Sequence, residues 1–357
     1  MSKNQKKKSN LKLSILLLIL LLIVLTASTY AWFTANQTVT VESIDVNIEA
    51  KNGLQISTNA VDWKSIITNA DITTNAYTGN TNQLPTSMEP VSTVGEIDTN
   101  TGYMKMYYGK VESAETGNNK GKDVLTATAE TEPAVDDVTP KFVSFDVFLR
   151  VTADTKLKMT NGSKVVKKDS SKDNGIKQAS RVAFCIEGNT PAGSDVKTIT
   201  ELKGAKSFSD PAKTVYIWEP NANLHTAAAV AHAKDNYNIT TTTGGAKSDI
   251  VTYAGIKQAF ATKTLLKDTY TAGDNFSTIK PDYVTLANAN GEMLNADGSE
   301  GTKEKPAEQK IFTLTAGITK VRVYMWIEGQ DVDCENTASG TDISYNLQFT
   351  IDNGKNG

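Results

Sequence analysis

The sequence has few of the residues on which most enzymes and metal proteins depend. It contains only two histidines, His225 and His232, and only two cysteines, Cys185 and Cys334. The histidines are seven residues apart, whereas a zinc-protease helix needs the second histidine four residues after the first, with a glutamate between them. A nucleophile elbow, a phosphate-binding loop and a glycine-rich dinucleotide turn are also missing. We therefore expect a protein that is not an enzyme and that needs no cofactor.

Long helical patterns are also few, whereas Thr, Asn, Ser, Ala and Gly are abundant. This composition favours β-structure with many turns and polar strand faces. Charged residues make up 22% and aromatic residues 7% of the chain, which is typical of a folded protein. A chain of 357 residues can bury a substantial core in one large domain or in two ordinary ones.

The first 31 residues have no acidic side chain but carry five lysines. An unbroken apolar run, Ile15–Leu25, follows the lysines and is shorter than the roughly 20 residues of a membrane-spanning helix. Small and polar residues then lead to Ala31. This order predicts a signal peptide over residues 1–31, cleaved after Ala31 by a signal peptidase, with the lysines cytoplasmic before cleavage. The alternative is an uncleaved anchor over Leu13–Phe33.

Cleavage would leave a protein with 32 basic and 40 acidic residues, a net charge of −8. A chain with this balance has no net attraction to a polyphosphate, so we expect no nucleic-acid partner. We expect the mature protein to be secreted and to be extracellular or bound at the cell surface.

The residues around the predicted cleavage site, Leu25–Thr34, read LTASTYAWFT. They resemble the cleavage region of the TasA/camelysin family, which consists of secreted Gram-positive proteins with SipW-type signal peptides. The resemblance covers about residues 12–66 and returns near Phe349. The resemblance implies a subunit of an extracellular fibre or biofilm matrix. Such a subunit assembles into a homopolymer by donating its N-terminal strand, and other matrix proteins are further expected partners. Camelysin-like proteins have been described as proteases, so a secreted hydrolase is one alternative.

The predicted assembly strand runs from Trp32 to Ile48. Two aromatic residues at a new N-terminus would be exposed unless something covers them, and alternating apolar residues follow them, which is typical of a strand with one buried face. The residues concerned are Trp32, Phe33, Val39, Val41, Ile44, Val46 and Ile48. The alternation shifts by one residue and so predicts a bulge near Glu42-Ser43. We expect Trp32–Val41 to be free to leave the domain and Ile44–Ile48 to be anchored in its own sheet.

A second alternative is a monomeric cell-surface adhesin or matrix-binding module. In that case the N-terminal strand pairs within its own domain, and Trp32 and Phe33 fold back on it. The loops over residues 112–139 and 288–309 would then carry the function.

Several further segments alternate with period two, and they predict an all-β fold, a jelly-roll-like two-sheet β-sandwich with long loops. The clearest of these segments are Phe142–Thr152, Arg181–Ile186, Lys320–Ile327 and Asp342–Ile351. One or two short helices are predicted over Asn223–Lys234, which is rich in alanine, and Ile250–Phe260. We expect residues 32–357 to form a single decorated domain, in which residues 160–310 are an inserted or elaborated region.

Two smaller expectations concern the cysteines and an acidic loop. In a secreted chain, Cys185 and Cys334 predict one disulfide, and two buried thiols are the alternative. Three acids, Glu328, Asp331 and Asp333, lie close together in sequence and are a weak candidate for a calcium site. The alternative is a solvated acidic loop, and we expect the two histidines to be at the surface or half-buried.

Overall fold

The computed structural model describes most of the chain after residue 40. The described residues are 41–113, 115–120, 123–134, 139–167, 174–204, 215–231, 254–265, 275–278, 283–288, 290–334 and 340–352. None of the helices within these ranges combines the length and the apolar character needed to cross a bilayer. The predicted signal peptide and the assembly residues Trp32, Phe33 and Val39 lie outside the described residues.

The described chain is built mainly of β-strands. They are β1 (Val41–Ala50), β2 (Gln55–Ser57), β3 (Ile66–Thr68), β4 (Tyr107–Ser113), β5 (Asp123–Ala129), β6 (Val143–Val151), β7 (Thr155–Thr160), β8 (Lys164–Lys167), β9 (Ser180–Thr190), β10 (Val215–Glu219), β11 (Ala254–Ile256), β12 (Phe260–Leu265), β13 (Phe276–Thr278), β14 (Tyr283–Val284), β15 (Glu308–Leu314), β16 (Gly317–Ile327) and β17 (Thr341–Ile351). Short helices span Asn69–Thr73, Ile176–Ala179 and Val196–Thr200, and a 3₁₀ turn spans Gly117–Asn119. Residues 227–231 are also helical, which confirms the alanine-rich helix over those residues, whereas residues 223–226 of the predicted span are not helical.

Two six-stranded sheets form the body of the protein. In the first sheet the order is β15-β7-β17-β1-β3, and β8 also pairs with β17. In the second sheet the order is β14-β10-β9-β16-β6-β2. Apolar side chains from both sheets meet in one large core, so the predicted two-sheet β-sandwich is confirmed.

Alternation along the long strands explains why the sheets face each other. On β16, Val323 and Met325 point into the common core, while Arg322 and Tyr324 point to the other face. Across the core, the ring of Phe349 on β17 meets the ring of Phe184 on β9 edge-on, with centroids 5.7 Å apart. Burial of an apolar side chain of this size stabilises the fold by about 1.5–3 kcal/mol.

The outer face of the second sheet is covered as well. Residues 77–108, which we call the covering segment, run across this face. Met104 and Met106 from this segment pack against Tyr324 and Trp326 of β16. The backbone N–H of Met104 also donates to the Tyr324 hydroxyl at 3.1 Å. The second sheet is therefore buried on both faces, which allows charged residues on its outer face to be enclosed.

Two sequence-based assignments of secondary structure are wrong. The predicted loop over residues 112–139 contains β5, which forms a three-stranded sheet with β4 and β12. In the predicted helix Ile250–Phe260, Ala254–Ile256 is β11 and Phe260 begins β12. In the observed strand, Gly255 lies against another backbone: a Cβ at this position would meet the Thr93 carbonyl oxygen at 2.3 Å.

The predicted disulfide is also wrong, because Cys185 and Cys334 are both free and buried. Cys185 lies on the outer face of β9, in the cluster that includes Tyr324. Cys334 belongs to the core between the two sheets. The second sheet therefore separates the two sulfur atoms. Burial raises the pKa of both thiols well above the ordinary value, so both are poor nucleophiles.

Candidate functional site

The predicted assembly strand lies inside the first sheet where it is described. β1 pairs in parallel with β17 over its length, from Val41 opposite Thr341 to Ala50 opposite Phe349. On its other side, β3 pairs only with residues 47–49. The register of β1 shifts between Val41 and Ser43, so the predicted bulge is confirmed.

The buried face of β1 agrees with the sequence pattern. Ile44, Val46 and Ile48 are 7%, 1% and 0% exposed, and all three belong to the main core. This burial confirms that Ile44–Ile48 is anchored in its own sheet. Val41 was assigned to the part that can leave, but it already pairs with β17 in this structure.

A side chain takes the place of a strand beside part of β1. The Asn69 side chain accepts a hydrogen bond from the Val46 N–H at 2.7 Å and donates to the Ile44 carbonyl at 2.9 Å. Asn69 is held at the start of its helix by Asp71, which accepts from the Thr68 N–H at 3.1 Å. This arrangement satisfies polar groups at the edge of β1 without extending the sheet by another strand.

The acidic loop after β16 is buried and binds protein donors. Glu328, Asp331 and Asp333 are 0%, 5% and 1% exposed. Glu328 accepts hydrogen bonds at 3.0 Å from the indole N–H of Trp326 and from the Gln330 N–H. Both expectations for this loop, a calcium site and a solvated loop, are therefore wrong. The described residues contain no group of three or more His, Cys, Asp or Glu side chains arranged to hold a metal ion.

Arg181 and His225 neutralise part of this loop. Arg181 is 0% exposed and donates to Glu219 at 2.7 Å and to Asp331. The His225 Nδ1 lies 2.6 Å from an oxygen of Asp333, which also accepts from the Thr226 N–H at 2.8 Å. The six ionisable groups form what we call the buried charge cluster: Arg181, Glu219, His225, Glu328, Asp331 and Asp333. The His225 side chain is only 8% exposed, more deeply buried than expected, and His232 lies outside the described residues.

The buried charge cluster contains four carboxyl groups but only two basic side chains. The pKa values of three of these carboxyl groups are raised. Burial raises the pKa of Glu219 to about 7 and that of Glu328 to about 7. Burial also raises the pKa of Asp333. For His225, burial lowers the pKa, but the hydrogen bond and charge of Asp333 raise it by more. The cluster is therefore most stable when partly protonated.

A cleft of about 690 Å³ opens on the outer face of the second sheet. Its floor carries Asp146 from β6, Glu187 from β9, and Lys320 and Arg322 from β16. Alternation along β9 places Glu187 on this face, two residues after Cys185 and next to the core residue Ile186. Glu187 is also the unpaired residue of a bulge, since Ile186 pairs with Val321 and Gly188 pairs with Lys320.

Ion pairs organise the floor of the cleft. Arg322 donates to Asp146 at 2.9 Å and to Glu132 at 2.6 Å, and Lys320 lies 3.4 Å from Asp146. The Tyr77 hydroxyl donates to Asp146 at 2.6 Å. Burial acts to raise the pKa of Asp146, but the two basic groups lower it overall, so this carboxylate stays ionised. Burial raises the pKa of Glu187, so the two carboxyl groups of one cleft differ in proton affinity.

The rim of the cleft is partly aromatic and partly apolar. Tyr103 stands on one side, with its ring 4.8 Å from the Lys203 ammonium and its hydroxyl 2.8 Å from the Thr81 hydroxyl. On the other side lies the helix Val196–Thr200, where Val196 is 43% exposed. No pattern in the sequence connects these residues, although Asp146 and Arg322 both occupy the non-core phase of an alternating strand.

Comparisons of this chain with models of protein families, with curated proteins and with solved structures found no match. The resemblance of residues 12–66 to the TasA/camelysin family therefore stays a prediction.

Proposed function

We propose that this chain is an exported, non-enzymatic subunit of an extracellular fibre or biofilm matrix, and that it assembles through its N-terminal strand. The observation that carries the proposal is the position of β1. This strand pairs with β17, which lies about 300 residues later in the chain, and no short turn joins the two. The pairing therefore depends on main-chain hydrogen bonds and on side-chain burial, both of which a strand from another copy can also supply.

The surroundings of β1 support this mode of assembly. Beyond residues 47–49, the β3 side of β1 is served by the Asn69 side chain, and β3 itself does not continue along it. The described part of β1 begins at Val41, and the stretch Trp32–Thr40 comes directly before it in the sequence. Cleavage after Ala31 would release this stretch from the membrane, and it would then dock on a sheet edge of a neighbouring subunit.

Deletion of Trp32–Thr38 from the cleaved protein tests this proposal. We expect the wild type to form filaments visible by electron microscopy and the deletion variant to elute as a monomer in size-exclusion chromatography. A narrower variant replaces Trp32 and Phe33 with serine. Its matched control replaces Val61 and Val196 with serine, because these residues are 58% and 43% exposed and lie within the folded domain.

Three results would contradict the proposal: filaments that are unchanged by the deletion, a wild type that is strictly monomeric, and a control variant that loses filaments equally. A monomeric wild type would instead favour the second candidate, a cell-surface adhesin or matrix-binding module. That candidate is favoured by the pairing of β1 within its own domain from Val41 onward.

A further inference from the structure

Residues 221–231, which we call the docked segment, lie against the buried charge cluster and are attached to it mainly by polar contacts. The segment includes the start of the alanine-rich helix, at residue 227. Helices in proteins depend more on tertiary packing than on their own propensity. In the docked segment, however, Ala229 is the only apolar side chain that is buried. The position of the segment therefore depends on the hydrogen bonds that join it to the rest of the protein.

Asp333 provides the attachment nearest to the helix. One of its carboxylate oxygens accepts a hydrogen bond from the Thr226 N–H at 2.8 Å, and the other lies 2.6 Å from the His225 Nδ1. Farther back, the Asn223 side chain donates to the Ala287 carbonyl at 2.8 Å and accepts from the Ala287 N–H at 3.0 Å. Loss of the contacts to Asp333 would free the start of the helix.

The charges around the His225–Asp333 contact depend on pH. Glu219, at the end of β10, and Asp331, in the loop after β16, both act on the His225 ring together with Asp333. Arg181, at the start of β9, is the only other cation of the buried charge cluster. When every group of the cluster is ionised, four carboxylates face two cations and leave a net charge of −2. Loss of the His225 proton makes this charge −3.

A buried net charge is unfavourable, so the enclosed cluster retains protons that the same groups would release in water. The fit is incomplete in one further respect, because the buried His225 Nε2 has no hydrogen-bond partner among the described residues. As the pH rises and the protons leave, repulsion among the carboxylates grows. Water can relieve this repulsion if the docked segment moves away.

We propose that the docked segment is a pH-operated latch, which covers the buried charge cluster at mildly acidic pH and opens locally above neutral pH while the sandwich stays folded. In the open state the carboxylates of the cluster face water. This end of the second sheet then changes from an enclosed surface to an acidic one. The latch does not involve β1, so it goes beyond the proposed function and applies equally to a fibre subunit and to a monomeric surface protein.

Hydrogen exchange of the purified protein at pH 6 and pH 8 tests the latch. The reporters are the amides of Thr226, Ala229 and Val230, which donate to Asp333, to the Thr226 hydroxyl and to the Thr226 carbonyl. Their protection factors should fall at least about tenfold, because a pKa of about 7 for Glu219 in the closed state, against 4.5 in the open state, changes the opening equilibrium by about that factor. Local opening exposes little surface, so this exchange should not respond to low concentrations of urea, whereas exchange of β16 amides should respond.

Glu219→Gln removes one acid beside His225 with little change of size and should make the fall in protection smaller. Glu304→Gln, in an exposed loop, is the matched control and should leave the fall as in the wild type. A second measurement needs no variant at Glu219: the chain has only two histidines, and His225→Gln assigns their NMR signals. His225 of the wild type should titrate above the ordinary pKa of 6.5, because Asp333 and the neighbouring carboxylates favour its charged form.

Four results would overturn the latch. The first two are protection of the three reporter amides that is equal at pH 6 and pH 8, and exchange of these amides that responds to urea as the β16 amides do. The others are a fall in protection as large in Glu219→Gln as in Glu304→Gln, and a wild-type His225 that titrates below pH 6.5.

Discussion

A rise in pH from about 5 to about 8 should destabilise this protein, because of the buried charge cluster. Burial raises the pKa of Glu219 and of Glu328 from 4.5 to about 7. The folded state therefore holds these two protons in a range of pH where the unfolded chain has already released them. Stability is highest below the unfolded value and falls as the pH rises through the folded value.

The magnitude follows from the two shifts. Each rise from 4.5 to about 7 corresponds to about 3 kcal/mol of unfolding free energy, so the two groups together account for about 6 kcal/mol. The raised pKa values of Asp333 and His225 act in the same direction. The lowered pKa of Asp146 acts in the opposite sense, but only as the pH falls below about 4.

Urea unfolding at several pH values between 5 and 8, followed by the fluorescence of the buried Trp218 and Trp326, measures this loss. Glu328→Gln removes one of the two titrating groups and should reduce the slope of stability against pH by about half, whatever its constant effect on stability. Glu304→Gln changes a residue in an exposed loop and should leave the slope unchanged. Stability that is constant or rises from pH 5 to 8, or a Glu328→Gln slope equal to that of the wild type, would refute the reasoning.

Four further outcomes are expected. Unreduced, unfolded protein should show two alkylatable thiols, Cys185 and Cys334, by intact mass, and a mass lower by two hydrogens would restore the disulfide. Arg322→Met should cost about 3–5 kcal/mol in urea unfolding, because the buried Glu132 loses its cation and Asp146 keeps only Lys320; a cost under about 1 kcal/mol contradicts the pairing. Gly175→Ala should destabilise by more than Gly53→Ala: both have positive φ, but only at Gly175 would a Cβ meet a carbonyl oxygen, at 2.2 Å. In hydrogen exchange, β1 amides should open more readily than β16 amides, and equal protection would contradict this.

The strands were predicted best where large apolar residues alternate with polar ones. The ends of β6 and β17 were located within one residue, and those of β16 within three, because large apolar residues mark the buried face clearly. β5 was missed because its sequence, DVLTATA, offers mainly small residues and threonines, which do not distinguish a buried face from a loop. Its partner β12 comes from a distant part of the chain, and no local sequence pattern predicts that pairing.

The two charged sites were beyond prediction for a related reason. Arg181 lies on β9 and Asp331 lies in the loop after β16, and the two residues are 150 residues apart in sequence. Polar residues on the second face of a strand usually face water, and the alternation of β16 alone does not show that Arg322 is enclosed. In the structure, the covering segment encloses the face of β16 that carries Arg322, so this polar residue is buried. A sequence pattern identifies the two faces of a strand, but it does not tell whether a second layer lies over the polar one.

The contrast between β1 and β16 follows from the same topology. β16 pairs on both sides along most of its length, with β6 and β9, and lies at the centre of a sheet that is covered on both faces. The pairing of β1 with β17 closes a loop of about 300 residues, and β3 pairs with β1 over only three residues. The entropy of closing so long a loop must be overcome before the ladder contributes any stability. Main-chain hydrogen bonds and burial hold β1 beside β17, and the assembly that we propose assigns the exchangeable position to this strand for that reason.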